Sequence, residues 1–372
     1  MSAASAVETG FAEIETPALL VDETVLRTNL EGMATLAREA GVSLRPHFKT
    51  HKSVKMARRQ LELGAIGGTV AKTGEAEVFF ATGLRDLTVA TPVVDPRKIR
   101  RLLAARGDAT LHVLIESEEG LRRWSDAAAA ADRGVSVMLE IDTGMGRTGV
   151  PWGDAALPLA RAIAAAPGLT LGGVLTHAGQ GYGAATPEEI ARIGRGEGER
   201  AVATAEILRA AGIACPVVSV GSTPTVAHSA RVPGVTEIRP GNYGYLDRTQ
   251  VALGVAPLER CALTVLATVT ARPAADRVVL DCGAKTLSLD DGRGRPGGYG
   301  CLVGRPDWTI ARLSEEHGIL PVPADADLSV GDRVRVVPNH ACVTVDLHDE
   351  YWIVEGGRIV ARERVDARGR VR

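Results

Sequence analysis

Short apolar runs alternate with segments of helical period from about residue 25 to about residue 250. The runs are rich in Val, Leu and Ile, which is typical of strands that are buried on both faces of a parallel sheet. The predicted strands cover residues 42–46, 65–71, 86–90, 110–115, 135–141, 169–176, 216–220 and 235–239. Between them lie amphipathic stretches such as 22–40, for which Asp22 is a predicted N-cap and Gly41 a stop.

These alternations predict an α/β fold in which residues 22–250 form a (β/α)8 TIM barrel. A doubly wound open sheet is the alternative, but eight units of about 25 residues each favour closure into a barrel.

The pattern changes after residue 250. Apolar runs at 261–271, 277–281, 333–337 and 351–354 are β-like and are separated by Gly, Pro and Asp. No helical period of any length is evident there, so residues 251–372 predict a mostly-β C-terminal domain. The run 16–22 either pairs with that domain or covers the base of the barrel, and residues 1–21 are grouped with the β domain.

Composition narrows the class of protein. The formal net charge is −2, from 43 Lys+Arg and 45 Asp+Glu, which argues against binding to nucleic acid or to an anionic membrane surface. The N-terminus lacks the basic and apolar regions of a signal peptide, and no apolar stretch is long enough to span a bilayer. Five scattered cysteines fit a reducing compartment. We therefore expect a soluble cytoplasmic protein.

Polar and glycine-rich segments follow five of the predicted strands. They are PHFKTH (46–51), DTGMGRTG (142–149), THAGQGY (176–182), GSTPT (221–225) and RPGNYGY (239–245). Because the carboxyl ends of barrel strands meet at one face, these segments predict an active site there.

The loops after the seventh and eighth strands have the composition of a phosphate site. Ser222 and Thr223 offer hydroxyl and backbone N–H groups at a predicted helix start, and Gly241 and Asn242 allow a close backbone approach. Gly-Ser-Thr is also an ordinary helix cap, but the joint position of the two loops favours phosphate.

The segment RPHFKTHKS (45–53) crowds five basic side chains into nine positions. A lysine opposite a phosphate site indicates pyridoxal phosphate, whose aldehyde forms a Schiff base with an unprotonated amine. Alternation along the strand makes Lys49 the inward lysine, with its pKa lowered by His47, His51 and Lys52. Lys52 is left to bind a phosphate, an acidic neighbour or nothing. Lys72, Glu75 and Asp95 are interpreted as surface charges of loops or helices.

Taken together, RPHFKTHKS, DTGMGRTG, HAGQGY, GSTPT, RPGNYGY and PNHAC resemble the D-threonine aldolase/D-serine dehydratase family. This family is a branch of the alanine-racemase-like, fold type III pyridoxal-phosphate enzymes, and the resemblance covers nearly the whole chain. It implies that Lys49 carries the cofactor and that Tyr182 is a candidate partner of the pyridine nitrogen, with Arg147 as the alternative. The residues that it implies for cofactor binding are Lys49, Arg147, His177, Tyr182, Ser222, Thr223, Gly241, Asn242 and Tyr243. Arg147 either neutralises the phenolic oxygen of the cofactor or pairs with Glu140 or Asp142.

His340 and Cys342 are separated by one residue, so on an extended strand both side chains would point to the same face. Imidazole and thiolate suit Zn²⁺, although a lone H-x-C is an ordinary strand pattern. The resemblance makes this pair the ligands of a divalent metal, namely zinc or manganese, with magnesium as a further choice. Asp346 and His348 follow at strand spacing and are interpreted as supporting or surface residues.

The resemblance leaves two reactions open. One is cleavage of a D-3-hydroxy-amino acid such as D-threonine to glycine and an aldehyde. The other is dehydration of D-serine or D-3-hydroxyaspartate to a keto acid and ammonia. His51, assigned a catalytic role with Lys49, and His47 are the nearest proton relays, or else they are packing residues of the loop. Two other functions are disfavoured. An amino-acid racemase would have no use for the H-x-C pair, and a non-catalytic pyridoxal-phosphate carrier would end after the eighth strand, without the β domain predicted here. The resemblance also implies a homodimer.

Overall fold

A computed structural model describes residues 7–8 and 10–372 of the 372-residue chain. The chain divides into two compact units. Glu31–Gly241 with Gly369–Arg372 form what we call the barrel unit, and the described part of Met1–Leu30 with Asn242–Arg368 forms the β unit.

In chain order the strands of the described residues are β1 (Ala18–Asp22), β2 (Ser43–Leu44), β3 (Gly68–Val70), β4 (Asp86–Pro92), β5 (Thr110–Ile115), β6 (Val135–Asp142), β7 (Val150–Pro151), β8 (Leu169–Leu175), β9 (Val217–Val220), β10 (Glu237–Ile238), β11 (Leu263–Ala274), β12 (Arg277–Leu280), β13 (Gly300–Leu302), β14 (Arg305–Thr309), β15 (Arg312–Leu313), β16 (Gly318–Pro321), β17 (Arg333–Pro338), β18 (Glu350–Glu355) and β19 (Arg358–Arg364). The α-helices are α1 (Glu23–Ala40), α2 (Val54–Glu62), α3 (Thr73–Ala81), α4 (Pro96–Ala105), α5 (Glu118–Ala131), α6 (Leu157–Ala165), α7 (Pro187–Ala210), α8 (Val226–Ser229), α9 (Arg248–Ala252), α10 (Ala284–Leu287) and α11 (Ala341–Asp346).

Among the described residues of the barrel unit, eight parallel strands form a ring, and the two-residue strand β7 pairs with β6 beside it. The eight strands pair in the order β2-β10-β9-β8-β6-β5-β4-β3. A parallel bridge between His47 and Thr69 joins the two ends of this order. The Phe48 N–H donates to the Thr69 carbonyl at 2.7 Å, and the Thr69 N–H donates to the Pro46 carbonyl at 2.8 Å. The predicted (β/α)8 barrel is therefore confirmed.

The helix α4 shows how a barrel helix begins and packs. In α4, the Asp95 carboxylate accepts a hydrogen bond from the Arg97 N–H at 2.9 Å, and Pro96 occupies the first helical turn, where its missing N–H costs nothing. Ile99 and Leu102 on the inner face are fully buried. The amphipathic pattern thus fixes which face of the helix covers the sheet.

The strands β2 and β10 are shorter than the predicted 42–46 and 235–239, yet their backbone pairing continues beyond them. The Arg45 N–H donates to the Ile238 carbonyl at 2.9 Å, and the His47 N–H donates to the Pro240 carbonyl at 3.0 Å. This pairing carries the chain, held by main-chain hydrogen bonds, as far as His47 at the barrel's rim.

The β unit is built on a sheet of order β14-β13-β17-β11-β1-β18-β19, and β12, β15 and β16 extend it from β11. The strand β1 pairs antiparallel with β11 and parallel with β18. The first of the two alternatives for the run 16–22 is therefore correct: it pairs with the C-terminal β strands. Its residues Leu19, Leu20 and Val21 are almost wholly buried.

Three expectations for the β unit are wrong. The short helices α9, α10 and α11 lie where no helix was predicted, and His340 and Cys342 lie at the start of α11 rather than on a strand. The valine-rich sequence of α11 favours a strand. A helix forms instead, and its first N–H group, that of Ala341, donates a hydrogen bond to Asp247 at 2.9 Å. Since Asp346 ends the helix and His348 follows it, the strand spacing proposed for them is wrong as well.

Candidate active site

A cavity of about 270 Å³ lies at the carboxyl ends of the barrel strands. Its ionisable lining residues are His47, Lys49, Lys72, Glu140, Arg147, His177 and Arg239. Lys49, Arg147 and His177 were all predicted from the sequence, and the fold brings them together from three different loops. A wider groove of about 810 Å³ lies between α4 and α5, but the described residues that line it include no lysine, histidine or cysteine, so we place the chemistry in the smaller cavity.

The loop that carries Lys49 is fixed from below by an aromatic residue. Phe48 is completely buried, and its ring lies 5.0 Å from that of Phe79. Gly68 on β3 makes room for it, because a Cβ at Gly68 would lie 2.0 Å from the ring of Phe48. Lys49 therefore extends from a backbone that the barrel core holds in place.

His51 does not reach the cavity. It is buried, its Nδ1 accepts a hydrogen bond from the Ser53 N–H at 3.0 Å, and its Nε2 lies 3.2 Å from Gln60 Oε1. Burial lowers the pKa of His51 to about 3, against the effect of these hydrogen bonds. The imidazole is therefore neutral, and of the two roles left open for His51 the structure supports packing within the loop.

Lys52 is also engaged elsewhere. Its Nζ lies 3.4 Å from Glu75 Oε1, and both side chains are buried. Of the three fates left open for Lys52, the acidic neighbour is the one observed, and the interpretation of Glu75 as a surface charge is wrong. With His51 neutral and Lys52 paired, these two flanking residues do not supply the positive field that was expected around Lys49.

Other cations take that place. The Arg239 guanidinium is buried and donates to Ser219 Oγ and to the Thr176 carbonyl. Burial, followed by the charges of Lys49 and other cations, holds the pKa values of His47 and His177 well below the ordinary value. The cavity thus combines neutral imidazoles with fixed positive charge, which suits an anionic ligand.

Asp142 and Glu140 are the two predicted carboxylate partners of Arg147. Asp142 accepts hydrogen bonds from its own loop, from the Gly144 and Met145 N–H groups at 2.8 Å each. Glu140 accepts from Thr148 Oγ1 at 2.7 Å. Within the described residues neither carboxylate forms an ion pair with Arg147, which instead lines the cavity. The charge of Arg147 nevertheless acts on Glu140, so both roles of Arg147 stay predictions.

The segment GSTPT forms a tight turn into α8. Gly221 adopts a φ of +101°, which side-chain-bearing residues rarely adopt, and Ser222 Oγ lies 2.9 Å from Thr225 Oγ1. Ser222 and Thr223 are buried, and neither lines the cavity. Gly241 approaches the other loop closely, since a Cβ there would lie 3.2 Å from His47 Cβ.

The remaining predicted cofactor residues lie outside the cavity lining. Tyr182 is half-buried on the 3-10 turn Gly179–Gly183. Asn242 and Tyr243 belong to the β unit, where the Asn242 Nδ2 donates to Asp247 Oδ2 at 2.6 Å. Their roles toward a cofactor stay predictions.

Glu197 on α7 is a site residue that the sequence reasoning missed. Its Oε1 accepts hydrogen bonds from the Gly221 N–H at 2.8 Å and the Ala178 N–H at 3.0 Å, so it joins the loops after β8 and β9. Burial raises the pKa of Glu197 to about 7. The segment GRGEGER (194–200) contains a sequence signal that could have identified Glu197. Gly194 and Gly198 flank this residue in a helix, and glycines in a helix indicate that another segment packs closely against it.

In the β unit, His340 and Cys342 meet although they are not on a strand. Their side chains share a hydrogen bond, and His340 Nδ1 lies 2.5 Å from Asp290 Oδ2. Burial opposes the charged imidazole, but Cys342 and Asp290 raise the pKa of His340 to about 11. Among the described residues no group of three or more His, Cys, Asp and Glu side chains could hold a metal, so the pair is the donor set on offer.

The sequence matches two family models. Residues 21–249 match the alanine racemase N-terminal domain, and residues 262–354 match the putative serine dehydratase domain. The chain belongs to the alanine-racemase-like, fold type III family, which is pyridoxal-phosphate-dependent, and the resemblance inferred from the motifs is confirmed.

Relatives narrow the class further. D-threo-3-hydroxyaspartate dehydratase of Delftia sp. (strain HT23) is 39% identical over 89% of this chain and 92% of its own. D-threonine aldolase of Arthrobacter sp. is 33% identical over 96% and 94%. The crystal structure of D-threonine aldolase from Filomicrobium marinum superposes with a TM-score of 0.91 at 31% identity, covering 99% of this chain and 100% of that one. The matched relatives are thus lyases of D-hydroxyamino acids.

The helices of the described residues include none with the length and apolar character needed to cross a bilayer.

Proposed function

We propose that this protein is a lyase, dependent on pyridoxal phosphate and a divalent metal, that cleaves D-3-hydroxy-amino acids to glycine and an aldehyde. The observation that carries the proposal is the cavity in which the Lys49 amine, two neutral imidazoles and two guanidinium groups meet. Aldol cleavage needs a base for the substrate hydroxyl, and a neutral imidazole is such a base at physiological pH.

The residues of the cavity fit pyridoxal phosphate. Lys49 supplies a primary amine, and Arg147 and Arg239 supply positive charge for the anionic groups of the cofactor and substrate. When bound, the cofactor withdraws electrons from the α-carbon of a linked amino acid. The turn at Ser222 and Thr223, tied to its neighbour loop by Glu197, would hold the phosphate.

His177 is the better placed of the two imidazoles to accept a proton. It makes a hydrogen bond with the backbone of Gly221, which orients the ring and leaves its other nitrogen for the substrate. His47 Nδ1 instead accepts from the Lys49 N–H at 3.3 Å, so His47 helps to hold the lysine loop. We therefore assign the hydroxyl proton to His177.

His340 and Cys342 would hold the metal, with zinc favoured over manganese and magnesium because imidazole and thiolate are borderline-soft ligands. A metal with two protein ligands keeps positions for water and substrate oxygen, and it supplies Lewis acidity toward a hydroxyl group. Both side chains are partly open rather than enclosed, as such exchangeable positions require.

Dehydration is the second candidate, since the dehydratase relative has a higher identity to this chain than the aldolase relative. Products separate the two with one substrate. Aldol cleavage of D-3-hydroxyaspartate yields glycine and glyoxylate, whereas dehydration yields oxaloacetate and ammonia. We expect glycine and glyoxylate from the enzyme loaded with cofactor and metal. Oxaloacetate and ammonia in their place would assign the dehydratase reaction, and no turnover of any D-3-hydroxy-amino acid would contradict the lyase proposal.

A further inference from the structure

The glycine-rich loop Asp290–Gly298 of the β unit places a carboxylate against His340. Asp290 lies 50 positions before His340 in the chain, yet its Oδ2 is 2.5 Å from His340 Nδ1. The other oxygen, Oδ1, accepts a hydrogen bond from the Gly292 N–H at 2.9 Å, so the carboxylate is anchored by its own loop. The contact leaves the ring with one nitrogen engaged by Asp290.

Two buried side chains fasten this loop to the segment that contains His340. Asn339 Nδ2 donates to the Gly298 carbonyl at 2.7 Å. Arg248 Nη1 donates to Asn339 Oδ1 at 2.9 Å and to the Gly297 carbonyl at 2.8 Å, and its Nη2 donates to the Pro296 carbonyl at 2.7 Å. Asn339 immediately precedes His340, so the far end of the loop and the histidine are held by one polar network.

Asn339 is almost fully buried, and its polar groups have partners on several segments of the β unit. Its backbone carbonyl accepts from Thr249 Oγ1 at 2.7 Å, so its side chain and main chain are both engaged. The arrangement fixes the geometry of the loop relative to residue 340.

We propose that Asp290 is a positioning residue for the metal pair and that Asn339 acts through it. Asp290 accepts the Nδ1–H of His340, which fixes the tautomer and turns Nε2, with its lone pair, toward a metal that Cys342 shares. Carboxylates in this place orient the ring and raise its basicity as a ligand. The inference rests on the proposed metal role of His340 and Cys342.

The test is the affinity of the metal-free protein for Zn²⁺ and for Co²⁺, measured by competition with a chelating dye and by the thiolate-to-cobalt absorption band. We expect Asp290→Ala to weaken binding roughly 10- to 100-fold and Asp290→Asn, which keeps an acceptor, to weaken it less. The matched control is Asp291→Asn, an exposed carboxylate on the same loop, which keeps the wild-type affinity. Unchanged melting temperatures of the metal-free variants and unchanged pyridoxal-phosphate absorption would show that folding is intact.

The outcomes separate this inference from the proposal beneath it. Wild-type protein that binds neither ion would overturn the metal role itself. Wild-type protein that binds metal, with Asp290→Ala binding equally well, would overturn the inference alone.

A double-mutant cycle tests the part played by Asn339. If Asn339 acts through Asp290, Asn339→Ala weakens metal binding in the wild-type background and adds little to Asp290→Ala. Fully additive losses in affinity would contradict that coupling.

Discussion

At the scale of single residues, two of the described residues that line the cavity carry primary amines, namely Lys49 and Lys72. The two differ in their support. Lys49 follows the buried Phe48 and is close enough for its charge to act on both neutral imidazoles, whereas Lys72 is exposed at the start of α3. An amine that must attack a bound aldehyde repeatedly at one position needs a fixed backbone, which Lys49 has.

Replacing each lysine with alanine tests this assignment. We expect Lys49→Ala to abolish the covalent attachment of pyridoxal phosphate that borohydride reduction makes permanent, because the nucleophile is gone. Lys72→Ala is the matched control and should retain it. Mass spectrometry of the reduced protein measures both, and a cofactor still attached in Lys49→Ala would contradict the assignment.

Glu197 gives a prediction about pH. Its pKa is about 7 in the folded protein and 4.5 in an ordinary carboxyl group, so the folded state binds its proton more tightly. The contribution of Glu197 to the free energy of unfolding is therefore complete below about pH 4.5, and it is lost as the pH rises through 7. The lost contribution is roughly 3 kcal/mol. We expect the free energy of unfolding of Glu197→Gln to fall less than that of wild type between pH 5 and pH 8, as measured by denaturant titration. Parallel curves for the two proteins would contradict the role of burial.

At the scale of elements, α7 shows how three glycines in one helix can have different purposes. A Cβ at Gly194 would lie 2.8 Å from the Thr225 carbonyl, and one at Gly198 would lie 2.7 Å from Val232 Cγ2. A Cβ at Gly196 would meet nothing within 4 Å. Gly194 and Gly198 therefore let the turn at Ser222–Thr225 and the segment after it approach α7, where the turn reaches Glu197. Gly196 makes no such contact and only weakens the helix.

Alanine substitutions on α7 should accordingly have opposite signs. Gly196→Ala should raise the free energy of unfolding by about 0.5–1 kcal/mol, since alanine loses less backbone entropy in a helix. Gly194→Ala should lower it by about 1–3 kcal/mol through crowding, and should weaken pyridoxal-phosphate binding because the phosphate turn must shift. Chemical denaturation and cofactor titration measure the two effects. Stabilisation by both substitutions would show that the turn does not pack against α7 as described.

The barrel, and the residues at the carboxyl ends of its strands, are predictable from sequence because they depend on the local pattern of apolar and polar residues. Each strand carries its own apolar run, and Lys49, Arg147 and His177 follow strands whose ends must converge. The helix α11 is not predictable in this way, since the letters CVTV favour a strand and the deciding contact comes from Asp247, 94 positions away. Glu197 and Asp290 were missed for a related reason, because their partners are backbone and ring nitrogens of distant loops, which leave no spacing pattern.

At the scale of the whole molecule, each unit carries one part of the proposed chemistry. The barrel unit contains the lysine, imidazole and guanidinium groups of the cavity, and the β unit contains His340, Cys342 and Asp290. The described residues that line the cavity do not include His340, Cys342 or Asp290, so we expect that the metal can be removed without loss of pyridoxal phosphate.

Removal of the metal tests this independence. We expect dialysis against a chelator to abolish cleavage of D-3-hydroxy-amino acids while the visible absorption of bound pyridoxal phosphate stays unchanged, because the metal donors lie outside the cavity lining. Activity should return on addition of Zn²⁺ or Mn²⁺. Full activity after verified removal of metal would contradict the metal requirement, and loss of the cofactor absorption would contradict the independence.

The proposed aldol cleavage is tested by following D-threonine by proton NMR in the presence of the protein, pyridoxal phosphate and metal. We predict that D-threonine disappears and that glycine and acetaldehyde form in equal amounts, with L-threonine left untouched. The appearance of threonine isomers inverted at the α-carbon, or of 2-oxobutyrate and ammonia without glycine, would contradict it.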